Sequence, residues 1–285
     1  MHRFRKVAII GVGLIGGSIG LALRERKVAG RVIGIGRNQD SLTKARRLGC
    51  VHETATSVAE GVAAADLVVV CTPVEQIPEL IAEAARHAPA GAIFTDAGST
   101  KCTVVARTEA LLHAQFDGLL PFIGSHPIAG SEKTGAEAAQ GNLFERRTVV
   151  ITPTASTDDD VTGAIEQFWR SLKGRVVRMS PARHDEVLAR TSHLPHLVAS
   201  ALAAATPADM LPLTAGGWSD TTRVAAGDAE MWRQILMANS VQTLKGLDDF
   251  ERVLAELRQA VEAGDGPRLA AILAEGKARR DALGS

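Results

Sequence analysis

The sequence predicts an α/β protein: a doubly wound parallel sheet over residues 1–179, followed by an all-helical half over residues 180–285. Three observations carry that prediction. The apolar run Val7-Ala8-Ile9-Ile10 passes directly into Gly11-Val12-Gly13-Leu14-Ile15-Gly16 and then into a helix-like pattern. Short apolar runs and amphipathic segments then alternate from Lys6 to about Met179, as parallel strands joined by crossover helices do. From Pro181 onward no strand pattern recurs.

Composition bounds the rest. A length of 285 residues suits roughly two domains of ordinary size. With 46% hydrophobic and 22% charged residues, the chain has the means to bury a core. Lys+Arg and Asp+Glu each number 32, so neither a basic field for nucleic acid nor a one-signed membrane surface is expected. Cys50, Cys71 and Cys102 lack metal-type spacing and read as small core residues of a reduced compartment. No apolar run reaches the roughly 18 residues of a bilayer span, and the first strand begins without a signal-like segment ahead of it. The expectation is a cytoplasmic protein that engages neither membrane nor nucleic acid.

Taken in order, the first element is a buried strand that ends in G-x-G-x-x-G and opens a helix, the Rossmann dinucleotide fingerprint. Gly11 makes the turn, Gly13 lets backbone approach a pyrophosphate, and Gly16 lets the helix pack close. Leu14 and Ile15 supply helix-terminal N–H groups for the anion. Ser18 to Arg26 continues the helix, and Val32-Ile33-Gly34-Ile35-Gly36 is the second strand. An acidic residue at this strand end would hold the ribose hydroxyls of NAD. Gly36 stands there instead, followed by Arg37, which either pairs with a 2′-phosphate or is a solvated turn residue. The cofactor reading is NADP or NAD, leaning to NADP.

Ser41 to Leu48 is a helix ended by Gly49, and Asp66 to Cys71 a strongly apolar strand. It leads into Thr72-Pro73, which the fingerprint places beside the cofactor at the carboxyl edge of the sheet. A helix over Ile77 to Ala88 and a strand over Ala92 to Asp96 follow, then Ala97-Gly98-Ser99-Thr100-Lys101, which is either a plain turn or part of a site. Phe122 to Gly130 forms the next strand and loop, holding His126 between Ser125 and Pro127, with Gly130-Ser131-Glu132-Lys133 after it. Thr148 to Thr152 and Val176 to Met179 are the last strands, with a helix over Ile165 to Leu172 between them.

In the second half, Arg183 to Ala205 reads as one alanine-rich helical segment interrupted by Pro195. Leu247, Phe250, Leu254, Leu257 and Val261 recur at helical spacing and form one apolar stripe. Leu269, Ile272 and Leu273 suggest a last short helix.

His193 and His196 form H-x-x-H, with Asp185 the nearby carboxylate. The arrangement is not H-E-x-x-H, and we expect no metal; helix packing or substrate contact remain. Arg223 lies within Ser219-Asp220-Thr221-Thr222-Arg223-Val224-Ala225 and suits either a carboxylate fork or a bridge between helices.

The glycine turn, Asp96 to Lys101, Ser125 to Gly130, Ser192 to His196 and Asp220 to Ala225 occur together in this order. That set closely resembles the prephenate/arogenate dehydrogenase family of tyrosine biosynthesis, over nearly the whole chain. The resemblance implies oxidative decarboxylation of a cyclohexadienol, prephenate or arogenate, by a nicotinamide cofactor. It implies His126 as acceptor for the ring hydroxyl and Ser99 as its orienting partner. It further implies Arg223 on a substrate carboxylate, His196 lining the pocket, Glu132 as a polar gate and Asp185 pairing within the helical half. Interlocking helical halves would make a homodimer, and no fused mutase or regulatory region is expected. Two other readings compete: a β-hydroxyacid dehydrogenase, which would want a lysine between Pro181 and Pro195 where none stands, and a non-catalytic dinucleotide sensor.

Overall fold

A computed structural model describes residues 4–131 and 133–283. The elements run β1 (Phe4–Ile10), α1 (Leu14–Glu25), β2 (Ala29–Ile35), α2 (Gln39–Arg47), β3 (Glu53–Ala55), α3 (Val58–Val62), β4 (Leu67–Val70), α4 (Ile77–His87), β5 (Ile93–Asp96) and α5 (Cys102–Leu112). Then come β6 (Phe122–Pro127), β7 (Thr148–Thr152), α6 (Asp159–Ser171) and β8 (Arg175–Arg178). The strands form one sheet in the order β3-β2-β1-β4-β5-β6-β7-β8. Pairing is parallel throughout except between β6 and β7, which run antiparallel. The expected parallel sheet is therefore present with one reversed junction. It lies where β6 leaves the sheet through a long loop instead of a crossover helix.

Successive side chains of a strand face opposite ways, and here both faces are covered. Val7, Ile9, Leu67 and Val69 enter a core with α1 and α6, while Ala8, Ile10, Val68 and Val70 enter a second core with α4 and α5. Burial on both faces explains why these strands read as continuous apolar runs and not as alternating ones. The carboxyl ends of β2, β1, β4, β5 and β6 lie along one edge of the sheet, where Arg37, the glycine turn, Thr72, Ser99 and His126 follow or end them.

After β8 the chain is helical: α7 (Pro181–Leu188), a π turn (Ala189–His193), α8 (Leu194–Ala205), α9 (Gly216–Thr222) and α10 (Ala229–Ala238). The predicted helical segment runs on from α7 to α8, and its regular α geometry is interrupted by the π turn directly ahead of Pro195, which sits in the first turn of α8. Helices α11 (Ser240–Glu262) and α12 (Gly266–Asp281) form a separate compact unit beginning at Ser240. Within it, Gly264 turns the chain at φ 65°, and Asp265 caps α12 through the Arg268 N–H at 2.9 Å. Of the predicted stripe, Leu254 and Val261 are 51% and 65% exposed. No helix among the described residues is long and apolar enough to cross a membrane.

Candidate active site

The glycine turn is fixed by close approach. Gly11 has φ 92°, and a Cβ on it would come within 2.7 Å of the Cys71 carbonyl oxygen. At Gly16 a Cβ would lie 2.1 Å from the Gly11 carbonyl oxygen. Both positions exclude a side chain outright. Gly13 is open: a Cβ there meets nothing within 4 Å, and this residue is the N-cap of α1, with no side-chain cap on the N–H groups begun by Leu14 and Ile15. An uncapped helix start with free space above it is an anion cradle. Beside it, past the end of β4, Thr72 holds its Oγ1 buried with no partner among the described residues, and Pro73 starts the turn into α4. An orphaned hydroxyl next to an open cradle fits a bound dinucleotide.

At the end of β2, Gly36 donates its N–H to the Ala55 carbonyl at 3.2 Å. A Cβ on Gly36 would touch only Leu42, at 3.4 Å or more, so the backbone does not forbid an acidic side chain there. Arg37 follows, exposed and in no ion pair among the described residues. Ser99 lies half-buried in the loop between β5 and α5, above a fully buried ion pair of Lys101 with Asp96. Asp96 also accepts the Gly98 N–H at 2.8 Å and the Ser125 N–H at 3.0 Å, which ties the Ser99 loop to the strand that carries His126.

His126, partly buried at the end of β6, meets a group the sequence reading did not single out. Its Nδ1 lies 2.9 Å from Nε2 of His184, and Nδ1 of His184 lies 2.7 Å from the Asp185 carboxylate. That carboxylate accepts the Lys101 and Cys102 N–H groups, both at 2.8 Å, and so caps α5, whose own N-cap supplies no side-chain bond. Asp185 therefore does not pair only within the helical half, as expected, but reaches back to the sheet. Burial alone would raise its carboxyl; the bonds from His184 and the two backbone N–H groups outweigh that and hold it below the ordinary range.

The tautomers follow. A carboxylate only accepts, so His184 carries its proton on Nδ1 and presents a lone pair at Nε2. His126 must then donate from Nδ1, which leaves its own Nε2 as an acceptor. Burial, His184 and Lys101 hold His126 well below the ordinary histidine value. The arrangement is a neutral base whose proton-accepting atom is fixed by its neighbours.

His196, on α8, stacks on Trp232 with centroids 3.7 Å apart and faces the Val224 carbonyl, adjacent in the chain to Arg223. Arg223 itself is exposed at the start of the turn after α9. Glu132 lies outside the described residues.

The four histidines predict acid lability. Burial lowers His126, His184, His193 and His196, His193 to about 4. The unfolded chain takes up these protons near about 6.5, whereas the folded site resists them. The stabilisation is complete above that value and is lost as pH falls toward the folded values. Calorimetry should give a clearly lower Tm at pH 5 than at pH 7.5; an equal or higher value at pH 5 contradicts the argument.

Comparison with known proteins now decides the family. Residues 19–178 match the family model for "Prephenate dehydrogenase, nucleotide-binding domain", and residues 180–275 that for "Prephenate dehydrogenase, dimerization domain". The chain belongs to the prephenate dehydrogenase family. It is an NAD(P)-dependent dehydrogenase of that family, acting on a small molecule. The prephenate dehydrogenase of Bacillus subtilis is 37% identical over 287 residues, covering 97% of this chain and 76% of that protein. The crystal structure of A. aeolicus prephenate dehydrogenase with hydroxyphenyl propionate and NAD+ superposes at TM-score 0.89, with 33% identity and 98% of each chain covered. Synechocystis arogenate dehydrogenase superposes at TM-score 0.80 with 30% identity, covering 98% of this chain and 99% of its own.

Proposed function

We propose that the protein oxidatively decarboxylates prephenate or arogenate in tyrosine biosynthesis, with His126 as base. The observation that carries this is the His126–His184–Asp185 chain, which leaves His126 with an unprotonated Nε2 near the carboxyl end of β6. A bound nicotinamide would supply the acceptor for the hydride of the ring's carbinol carbon. His126 accepts the hydroxyl proton as that hydride leaves and returns it to the phenolic oxygen as carbon dioxide departs and the ring aromatises. Ser99 orients the hydroxyl, Arg223 grips a carboxylate that stays on the product, and His196 lines the pocket beside Trp232. Glu132 is assigned a gating role by family resemblance. The dinucleotide lies on Gly11, Gly13, Leu14, Ile15 and Gly16, with Thr72 and Pro73 beside it. The test is an assay of both substrates against both cofactors, followed by absorbance of the reduced nicotinamide. Turnover in at least one combination is expected; none in all four overturns the reading.

NADP is the proposed preference, supported by Gly36 where an acid would repel a 2′-phosphate and by the exposed Arg37 next to it, in no ion pair among the described residues. Arg37→Ala should raise KM for NADP+ several-fold and leave NAD+ nearly unchanged. Equal effects on both cofactors would remove the 2′-phosphate argument.

The functional division we propose is a dinucleotide-binding domain over residues 1–179 and a substrate and dimerisation domain over 180–285. It is supported by the two family models, which meet at residues 178 and 180. Exposed Leu254 and Val261 on α11 support a homodimer through that second domain. Three free cysteines support a cytoplasmic location.

A further inference from the structure

Asp185 has a second branch. Its backbone carbonyl accepts the side-chain amide of Asn239, the residue that ends α10, at 2.8 Å. A carbonyl oxygen only accepts, so the atom facing it is the amide nitrogen. The same nitrogen lies 3.2 Å from Nδ1 of His193, which must therefore offer a lone pair. His193 thus carries its proton on Nε2. That atom is buried and has no partner among the described residues, in a side chain only 1% exposed. An unmade buried N–H is costly, on the order of 1–3 kcal/mol, and asks for a ligand oxygen. The ring stands edge-on to Trp232, with centroids 6.3 Å apart, the same indole on which His196 stacks. One residue thereby sets two opposite tautomers: its carboxylate makes His126 an acceptor, and its carbonyl makes His193 a donor.

We propose that His193, held in its Nε2–H tautomer by Asn239, donates a hydrogen bond to the ring carboxylate that the substrate loses as carbon dioxide. The inference rests on the decarboxylating reading above. A fixed cation on that carboxylate would stabilise the ground state and oppose its loss as a neutral molecule. A neutral N–H orients it at less cost, and burial keeps His193 neutral. The carboxylate that remains on the product suits the permanent charge of Arg223 instead.

The test compares prephenate with 4-hydroxyphenylpyruvate, the product that lacks the ring carboxylate, on the full-length protein with bound NAD(P)H, which cannot accept the hydride. His193→Leu should weaken prephenate by about 10- to 100-fold, the range for a bond to a charged acceptor, and leave the product's Kd within about twofold. His193→Gln, which restores an amide N–H near the Nε2 position, should recover most of the loss. Should His193→Leu fail to fold, Asn239→Leu frees the tautomer while keeping the imidazole, and should weaken prephenate alone by a smaller factor. Equal weakening of both ligands would put His193 on the retained side chain, and no weakening of either would make it structural; both overturn the proposal. If the wild type turns over neither prephenate nor arogenate, it is the underlying reading that fails, and that outcome is read first.

Discussion

His126→Asn is expected to lower kcat/KM by about 10²–10⁴-fold, the span of a lost general base, while NAD(P)+ still binds. Asn reaches roughly the place of Nδ1 and can bond His184, but it presents no proton-accepting nitrogen where Nε2 stood. The cofactor cradle at Gly13 involves a different strand and should be untouched. Cofactor titration alongside steady-state kinetics separates the two. A variant retaining more than a tenth of wild-type kcat/KM would remove His126 from the chemistry. The same kinetics reject the sensor reading, because a binder loses nothing on this substitution. In the wild type the acid limb of the pH profile should fall below 6.5, since the base form is lost only as pH drops through a depressed value.

His184→Leu should cost about 10- to 100-fold in kcat with KM little changed. The bond it removes is the one that strengthens when His126 gains positive charge, and bonds to charged groups are worth about 1.5–3 kcal/mol. Without it His126 is also free to place its proton on Nε2, the wrong tautomer for a base. His184→Gln restores an acceptor toward His126 and a donor toward Asp185, so it should recover a large share of the rate. A space-filling role alone would let leucine serve as well as glutamine, and equal rates for the two would sink the relay.

How far the sequence disclosed this depends on distance along the chain. The glycine turn is local: strand, turn and helix lie within Lys6 to Gly20, and Gly11 and Gly16 answer to contacts the fold makes unavoidable while Gly13 leaves its space open. Arg37 and Thr72 were legible for the same reason, because each lies two residues past a strand end. The short edge strand Glu53–Ala55 was not, since three residues of mixed polarity carry no period. Nor was the reversal between β6 and β7, because strand direction leaves no mark on composition. His184 escaped notice because its meaning depends on partners 58 residues away at His126 and one residue away at Asp185. Lys101 read as a polar loop residue, yet it is wholly buried and paired with Asp96. Family resemblance supplied Asp185 and Arg223, but the reach of Asp185 to α5 emerged only in three dimensions.

That reach has a bearing on how the chain is made. The first N–H groups of α5, at Lys101 and Cys102, find their acceptor 84 and 83 residues later. As the polypeptide leaves the ribosome, β5 and α5 emerge well before Asp185 does. Until then α5 begins with two bare donors next to a buried ammonium group, and the Ser99 loop is held only through Asp96. The nucleotide-binding half is thus completed by a residue of the half that follows. A chain halted at residue 179 should assemble its strands yet keep the catalytic edge unfinished.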